Sequence, residues 1–184
     1  QYISAAVQII RKRFQFMELL QEWAEPIHFG ISRGLEKLVI KYRPVSGMEA
    51  NWSAEQMIAH LTEKLKEVKQ REIERGVTLI GPHRDDLQFF VNDYDVQVYG
   101  SQGQQRTTAL SLKLAEIELI KQETKETPIL LLDDVLSELD FNRKRYILTS
   151  IREIQTVITC TGIEDLTNYL DNKSKVFKVK DGVI

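Results

Sequence analysis

The chain has 184 residues, 42% hydrophobic and 28% charged, enough to bury a core in one or two domains. Its net charge of -2 excludes a broad polybasic surface, so any contact with nucleic acid has to come from a local patch or from an assembly. There is no run of about 18 apolar residues and no signal-like start. The expectation is therefore a cytoplasmic protein without membrane contact. The single cysteine, Cys160, excludes a disulfide or a thiolate metal site within the chain.

In chain order, Ile3, Ala6, Val7, Ile10, Phe14, Met17 and Leu20 recur at steps of three and four, which predicts an amphipathic helix over residues 2–24. Pro26 and Gly30 are expected to end it. Leu35 to Tyr42 reads as a strand from its β-branched and aromatic content. Ser53-Ala54-Glu55-Gln56 is a capping-box start to a helix with Met57, Ile58, Leu61, Leu65 and Val68 on one face, running to Arg75. Short strands are expected at Val77–Ile80, Leu87–Val91 and Val96–Tyr99, with Asn92-Asp93 turning between the last two. A mostly apolar helix follows from about Gln104 to Glu123, then strands at Ile129–Leu132, Val157–Cys160 and Val176–Val179 and a helix over 142–154. Cys160 is expected to be a buried strand residue. The alternation indicates an α/β fold with a partly parallel sheet. We place a boundary near Gly76, with 1–76 as one portion and 77–184 as another.

Two segments carry chemistry. Ile129 to Leu132 is an aliphatic run that ends abruptly in Asp133 and Asp134, and the carboxyl ends of strands are where α/β sheets collect ligands. Paired acids there suit Mg²⁺ and an attacking water, although acids after a strand are also ordinary loop starts. Upstream lies Tyr99-Gly100-Ser101-Gln102-Gly103-Gln104-Gln105-Arg106, a glycine-bearing turn into a helix whose dipole and unpaired amides favour an anion. Either element alone is weak, and the ordered pair points to a nucleotide.

This arrangement resembles the carboxyl half of an ATP-binding-cassette ATPase. Ser101 to Arg106 looks like the signature loop, Ile129 to Asp134 like the Walker B strand, and Ser137-Glu138-Leu139-Asp140 like the D-loop. Within that superfamily, Gly81-Pro82-His83-Arg84-Asp85-Asp86 and Ser101 to Glu116 resemble the RecF family, which is related to the SMC proteins. The motifs cover roughly residues 77–161. No Gly-x-x-x-x-Gly-Lys-[Ser/Thr] occurs. The expectation is thus a carboxyl-terminal piece, combining part of a helical arm (1–76) with an ATPase lobe (77–184), whose Walker A loop lies upstream.

The resemblance implies ATP held between two subunits of a homodimer. Ser101, Gly103 and Gln104, with Gln105 and Arg106 in the same loop and Asp140 in the D-loop, would contact nucleotide in trans. Asp133 would hold Mg²⁺, and Asp134 stands where most relatives have the Glu that handles the hydrolytic water. Asp is one methylene shorter, which suggests slow turnover. Thr159 is a phosphate contact or a plain strand residue, in a position where many cassette ATPases carry a His. The resemblance further implies single- and double-stranded DNA as ligand, DNA repair, replication and the SOS response as setting, RecR and RecO as partners, and RecA loading as outcome. A different SMC-like or transport-coupling ATPase, or a nonenzymatic module switched by ATP, are the alternatives.

Some residues remain open at this level. His83, Arg84, Asp85 and Asp86 either form a turn with structural ion pairs or order the site or DNA. His28 and His60 have no partner pattern and read as surface or packing residues. Arg11, Lys12, Arg13, Lys173 and Lys175 are candidates for DNA by charge alone, and a solvated helix face is the simpler reading of the first three.

Overall fold

The structure, a computed structural model, describes residues 1–136, 139–162, 170, 174–181 and 183. Its elements are α1 (Tyr2–Ile31), β1 (Leu38–Arg43), α2 (Ala54–Arg75), a 3₁₀ turn (Pro82–Arg84), β2 (Asp86–Val91), β3 (Tyr94–Asp95), α3 (Val96–Tyr99), α4 (Gln102–Thr124), β4 (Leu130–Asp133), α5 (Phe141–Ser150) and β5 (Thr156–Thr159). The class is α/β. Strands β1, β2 and β3 form an antiparallel sheet in that order, and β4 and β5 a parallel pair.

The chain forms two compact units, Gln1–Glu126 and Thr127–Ile184. This division differs from the boundary read near Gly76. The strand before that point, β1, pairs along its whole length with β2 beyond it, from Leu38 opposite Val91 to Arg43 opposite Asp86. Helix α4 also packs on α1, so elements from both sides of that point belong to one unit.

In the first unit α1 is the spine, and its two halves serve two cores. Ala6, Val7 and Ile10 pack with Met57, Leu61 and Val68 of α2 and with Ile80. Leu20 and Ala24 pack with Leu38 and Ile40 of β1, Val91 of β2, and Ala115 and Leu119 of α4. That second core explains why α1 does not stop at Pro26. Ala24, His28 and Ile31 are all buried on either side of the proline, and their packing outweighs the roughly 3 kcal/mol that an interior proline costs a helix. The helix ends instead at Ser32, with Gly34 in a left-handed conformation just beyond.

Three expected strands are absent. Val77–Ile80 has the right composition, but side chains take its backbone groups: Leu79 N–H donates to Glu72, the Thr78 carbonyl accepts from Arg84, and the Ile80 carbonyl accepts from Tyr2. Val96–Tyr99 is a single helical turn because Asp95 accepts a hydrogen bond from Gln97 N–H and caps it. Residues 176–179 pair with no strand among the described residues, and Val176, Phe177 and Val179 are exposed. Cys160 lies one residue past the end of β5 and is exposed, not buried. Asn92 and Asp93 do turn the β2–β3 hairpin, both with positive φ as such a two-residue turn requires.

In the second unit, β4 buries Leu130 and Leu132 on one face and leaves Leu131 exposed on the other. Its parallel partner β5 runs in register from Leu130 opposite Thr156 to Asp133 opposite Thr159. No helix among the described residues is long and apolar enough to cross a membrane.

Candidate nucleotide-binding elements

Helix α4 begins two residues earlier than its apolar pattern suggests, and the extra turn is built by a capping box. Ser101 Oγ accepts from Gln104 N–H at 3.2 Å, and Gln104 Oε1 accepts from Ser101 N–H at 3.0 Å. The first intrahelical bond runs from Gln105 N–H to the Ser101 carbonyl. The amides of Gln102 and Gly103 therefore precede the ladder, with the positive end of the helix dipole behind them. Because Ser101 Oγ accepts in the cap, its own hydrogen remains a donor. The approach to this end is tight. A side chain at Gly100 would bring its Cβ within 2.4 Å of the Val96 carbonyl oxygen. Gln105 Nε2 donates to both the Val96 and the Gly100 carbonyls, at 3.2 Å each. Gln105 thus braces the turn, and Arg106 is half-buried in the first turn of the helix.

Behind the cap lies a polar cluster without a sequence signature. Gln104 Nε2 donates to Glu36 Oε1 at 3.1 Å, and Glu36 Oε2 lies 3.2 Å from His28 Nε2. His28 Nδ1 is 3.1 Å from Ser111 Oγ, and Ser111 in turn donates to the Thr107 carbonyl at 2.7 Å. His28 and Ser111 are fully buried. His28 is thus neither a surface residue nor simple apolar packing. Its partners lie 8 and 83 residues away in sequence, too far for any local pattern to reveal.

Asp133 and Asp134 stand at the carboxyl end of β4. Thr159, directly opposite on β5, donates its hydroxyl to Asp133 Oδ1 at 2.5 Å and accepts from Asp134 N–H at 3.0 Å. A hydroxyl has one hydrogen, so the Thr159 donor is committed to Asp133. Asp134 has φ 49°, a left-handed conformation that Asp tolerates better than most residues, and the chain turns sharply there. Asp140 caps α5, accepting from the amides of Asn142 and Arg143 at 3.0 and 3.1 Å. Ser137 and Glu138 of the same motif lie outside the described residues.

The Gly81–Asp86 segment is tied down by structural contacts. Asp85 has a nearly inaccessible side chain, which accepts from Val45 N–H at 2.9 Å and from the Tyr42 hydroxyl and sits 3.5 Å from Arg13. Burial, reinforced by the hydrogen bond to Asp85 and opposed by Arg13, pushes the Tyr42 phenol far above its ordinary range. Arg13 also donates to the Pro82 carbonyl. His83 and Arg84 both reach the Thr78 carbonyl. Asp86 opens β2, facing Arg43 in the ladder.

Of the basic candidates, Arg11 and Lys12 are exposed, Arg13 is engaged as described, Lys175 is exposed, and Lys173 lies outside the described residues. His60 packs edge-on against Trp52 and contacts the Ser46 carbonyl at 2.8 Å. Among the described residues no group of three or more His, Cys, Asp or Glu side chains gathers for a metal. Asp133 and Asp134 nonetheless fit Mg²⁺. They are hard oxygen donors, and this ion takes one or two carboxylates and fills its remaining positions with water and phosphate oxygens.

No protein-family model matches the chain. Curated relatives align along all of it. DNA replication and repair protein RecF of Lysinibacillus sphaericus is 65% identical, with 100% of this chain and 50% of that protein covered. The proteins of the same name from Bacillus cytotoxicus and Bacillus mycoides are 56% and 55% identical, again over 100% of this chain and over 50% and 49% of theirs. Two solved structures of the recombination mediator protein RecF in the RecFOR pathway superimpose well. The one with ATP has a TM-score of 0.77 at 38% identity, covering 90% of this chain and 45% of that one. The one with ATPrS has a TM-score of 0.76 at 39% identity, covering 89% and 43%. The chain spans about half the length of the curated relatives it matches, corresponding to their carboxyl-terminal half. With this agreement in sequence and in fold, the chain belongs to the RecF family.

Proposed function

We propose that this chain is the carboxyl-terminal part of an ATP-dependent DNA-binding protein of replication and recombinational repair, whose two subunits close on ATP. The observation that carries the reading is the amino end of α4. There the Ser101 hydroxyl and the amides of Gln102 and Gly103 converge ahead of the first intrahelical bond, the donor set that a terminal phosphate requires. Gln104 and Gln105 order this end through their side chains, and together with Arg106 they would complete the loop's contacts with nucleotide. In the homodimer this surface of one subunit would face the Walker A and B elements of the other, with Asp140 at the D-loop.

Asp133 would hold Mg²⁺, with Thr159 fixing the carboxylate by hydrogen bond. Bound there, Mg²⁺ would neutralise charge on the phosphate oxygens. Asp134 would orient or deprotonate the hydrolytic water. Its shorter side chain suits slow turnover, since displacement by about 1 Å costs roughly 10²-fold in rate. In functional terms residues 1–76 would belong to the arm and 77–184 to the ATPase lobe, the two joined through the β1–β2 pairing. ATP binding would clamp the cytoplasmic dimer on DNA near single-strand gaps, and hydrolysis would release it. RecO and RecR would join there to load RecA, with induction in the SOS response as setting.

The same shortened acid favours a second reading, in which ATP is a dimer switch without productive turnover. The test is ATP hydrolysis by the full-length protein with and without gapped duplex DNA, comparing wild type with Asp134→Asn. DNA-stimulated turnover lost in the variant is the expected result. ATP-dependent dimers without turnover in wild type would favour the switch, and turnover indifferent to DNA would point to another cassette ATPase.

A further inference from the structure

The buried polar cluster behind α4 has no part in the scheme above, yet it ends on the residue that closes the signature-helix cap. Burying a polar group without partners costs roughly 1–3 kcal/mol, so such clusters tend to be either fully satisfied or harmful. In this one the hydroxyl fixes the order of the inner contacts. The single hydroxyl hydrogen of Ser111 goes to the Thr107 carbonyl. Ser111 Oγ can then only accept from His28 Nδ1, which assigns the hydrogen on that ring nitrogen from the network. His28 Nε2 and Glu36 Oε2 face each other across 3.2 Å, the contact that joins the ring to the carboxylate. The other carboxylate oxygen, Glu36 Oε1, accepts from Gln104 Nε2.

The backbone that carries Glu36 is itself pinned. Glu36 N–H donates to Ser32 Oγ at 3.2 Å, Lys37 N–H donates to Asn92 Oδ1 at 2.9 Å, and Asn92 Nδ2 donates to the Leu35 carbonyl at 3.0 Å. Glu36 therefore has little freedom to follow a moving partner. It is the fixed point, and Gln104 is the side chain held by it. Gln104 has two polar ends, both in use: Oε1 closes the box with Ser101 N–H, and Nε2 is bound to Glu36.

We propose that Glu36 and His28 are positioning residues for the phosphate-facing end of α4: the His28–Glu36 pair anchors Gln104, and Gln104 holds Ser101 and the following amides in the geometry that meets nucleotide. The pair also joins α1 to α4, so a displacement of the arm helix would be felt at the signature loop. The nucleotide part of this inference rests on the function proposed above. The anchoring of Gln104 does not.

Glu36→Gln and Glu36→Ala separate the two. In Glu36→Gln the carboxamide oxygen still accepts from Gln104 and the carboxamide N–H faces His28 Nε2, so the link to Gln104 closes. In Glu36→Ala it does not. The full-length protein is used throughout. Amide hydrogen exchange is read at Ser101, Gln104 and Gln105 without nucleotide, and dimerisation is then followed as ATP is titrated. With Glu36→Ala, exchange at these amides should accelerate about tenfold, as expected for loss of one hydrogen bond to a charged group. ATP-dependent dimerisation should weaken by a similar factor, and Glu36→Gln should restore both. In a double-mutant cycle with Gln104→Ala, the combined variant should be no worse than the worse single one.

Unchanged exchange in Glu36→Ala, or additive effects in the cycle, would overturn the anchoring role. Faster exchange with unchanged dimerisation would overturn the link to nucleotide. If wild type forms no ATP-dependent dimer, the functional reading above fails, while the exchange data still decide the anchoring. A merely structural role would lower stability uniformly and would not confine faster exchange to the start of α4.

Discussion

Thr159 donates its hydroxyl hydrogen to Asp133 across the parallel pair of β4 and β5 and receives the amide hydrogen of Asp134 in return. One small side chain thereby fixes the rotamer of the first acid and the backbone of the second. The sequence left Thr159 open as a phosphate contact or a plain strand residue, and this bracing of the two acids is what its hydroxyl does here.

Replacement Thr159→Val keeps the β-branched shape and removes both bonds. Because the site is exposed, stability should change by no more than about 1 kcal/mol. The effect should be on function. Residues that orient metal-holding side chains typically cost about 10–100-fold when lost, and ATP turnover by the full-length protein should fall in that range. Thr159→Ser, which retains the hydroxyl, should recover most of the loss. Wild-type turnover in Thr159→Val would mean that Asp133 needs no such support.

Gly81 has φ 146°, and a Cβ there would lie 2.0 Å from the Tyr2 hydroxyl oxygen. That hydroxyl donates to the neighbouring Ile80 carbonyl at 2.8 Å. Gly81→Ala should therefore destabilise the protein by about 1–3 kcal/mol, read as a lower urea midpoint with unchanged slope. Part of the cost is steric and part is backbone strain. Combining it with Tyr2→Phe removes the clashing oxygen, so the pair of changes should be less harmful than the sum of the two. Strict additivity would show that the contact is not the source of the loss.

Much of this was legible in the sequence, and the rest was hidden for identifiable reasons. The capping box at Ser53 is read from a local rule; the same rule applied at Ser101 would start α4 two residues earlier, and the structure closes each box with two hydrogen bonds. The steps of three and four in residues 2–24 mark α1 because its packing is periodic. Its last turns were not readable: nothing local signals that Ile27 would pack on a core, or that His28 and Ile31 would be buried, beyond Pro26. Val77–Ile80 has strand composition, and whether it becomes a strand depends on backbone partners, which here are Glu72, Arg84 and Tyr2. Of the candidate site, the residue types at 101–106 and 133–134 carried their own chemistry. The groups that hold them, Glu36, His28 and Thr159, act over distances in sequence at which spacing says nothing.

Tyr42 gives a test of the Arg13–Asp85 cluster through pH. Burial and the hydrogen bond to Asp85 raise its folded-state pKa well above the unfolded value of about 10. The sign follows from proton counting. Between the two pKa values the folded state keeps a proton that the unfolded state has lost, so folding is coupled to proton retention. The contribution of Tyr42 is therefore fully present below about pH 10 and declines as pH rises toward the folded value. Neighbouring Tyr2, raised chiefly by burial and further by Glu72 and Asp85, acts in the same direction. Urea midpoints measured from pH 8 to 11 should fall on the alkaline side, and the fall should be shallower in Tyr42→Phe. The variant also strips Asp85 of one donor, so it should start from a lower midpoint at pH 8. Curves for wild type and variant that stay parallel through pH 11 would show that Tyr42 titrates alike in both states, contrary to its burial against Asp85.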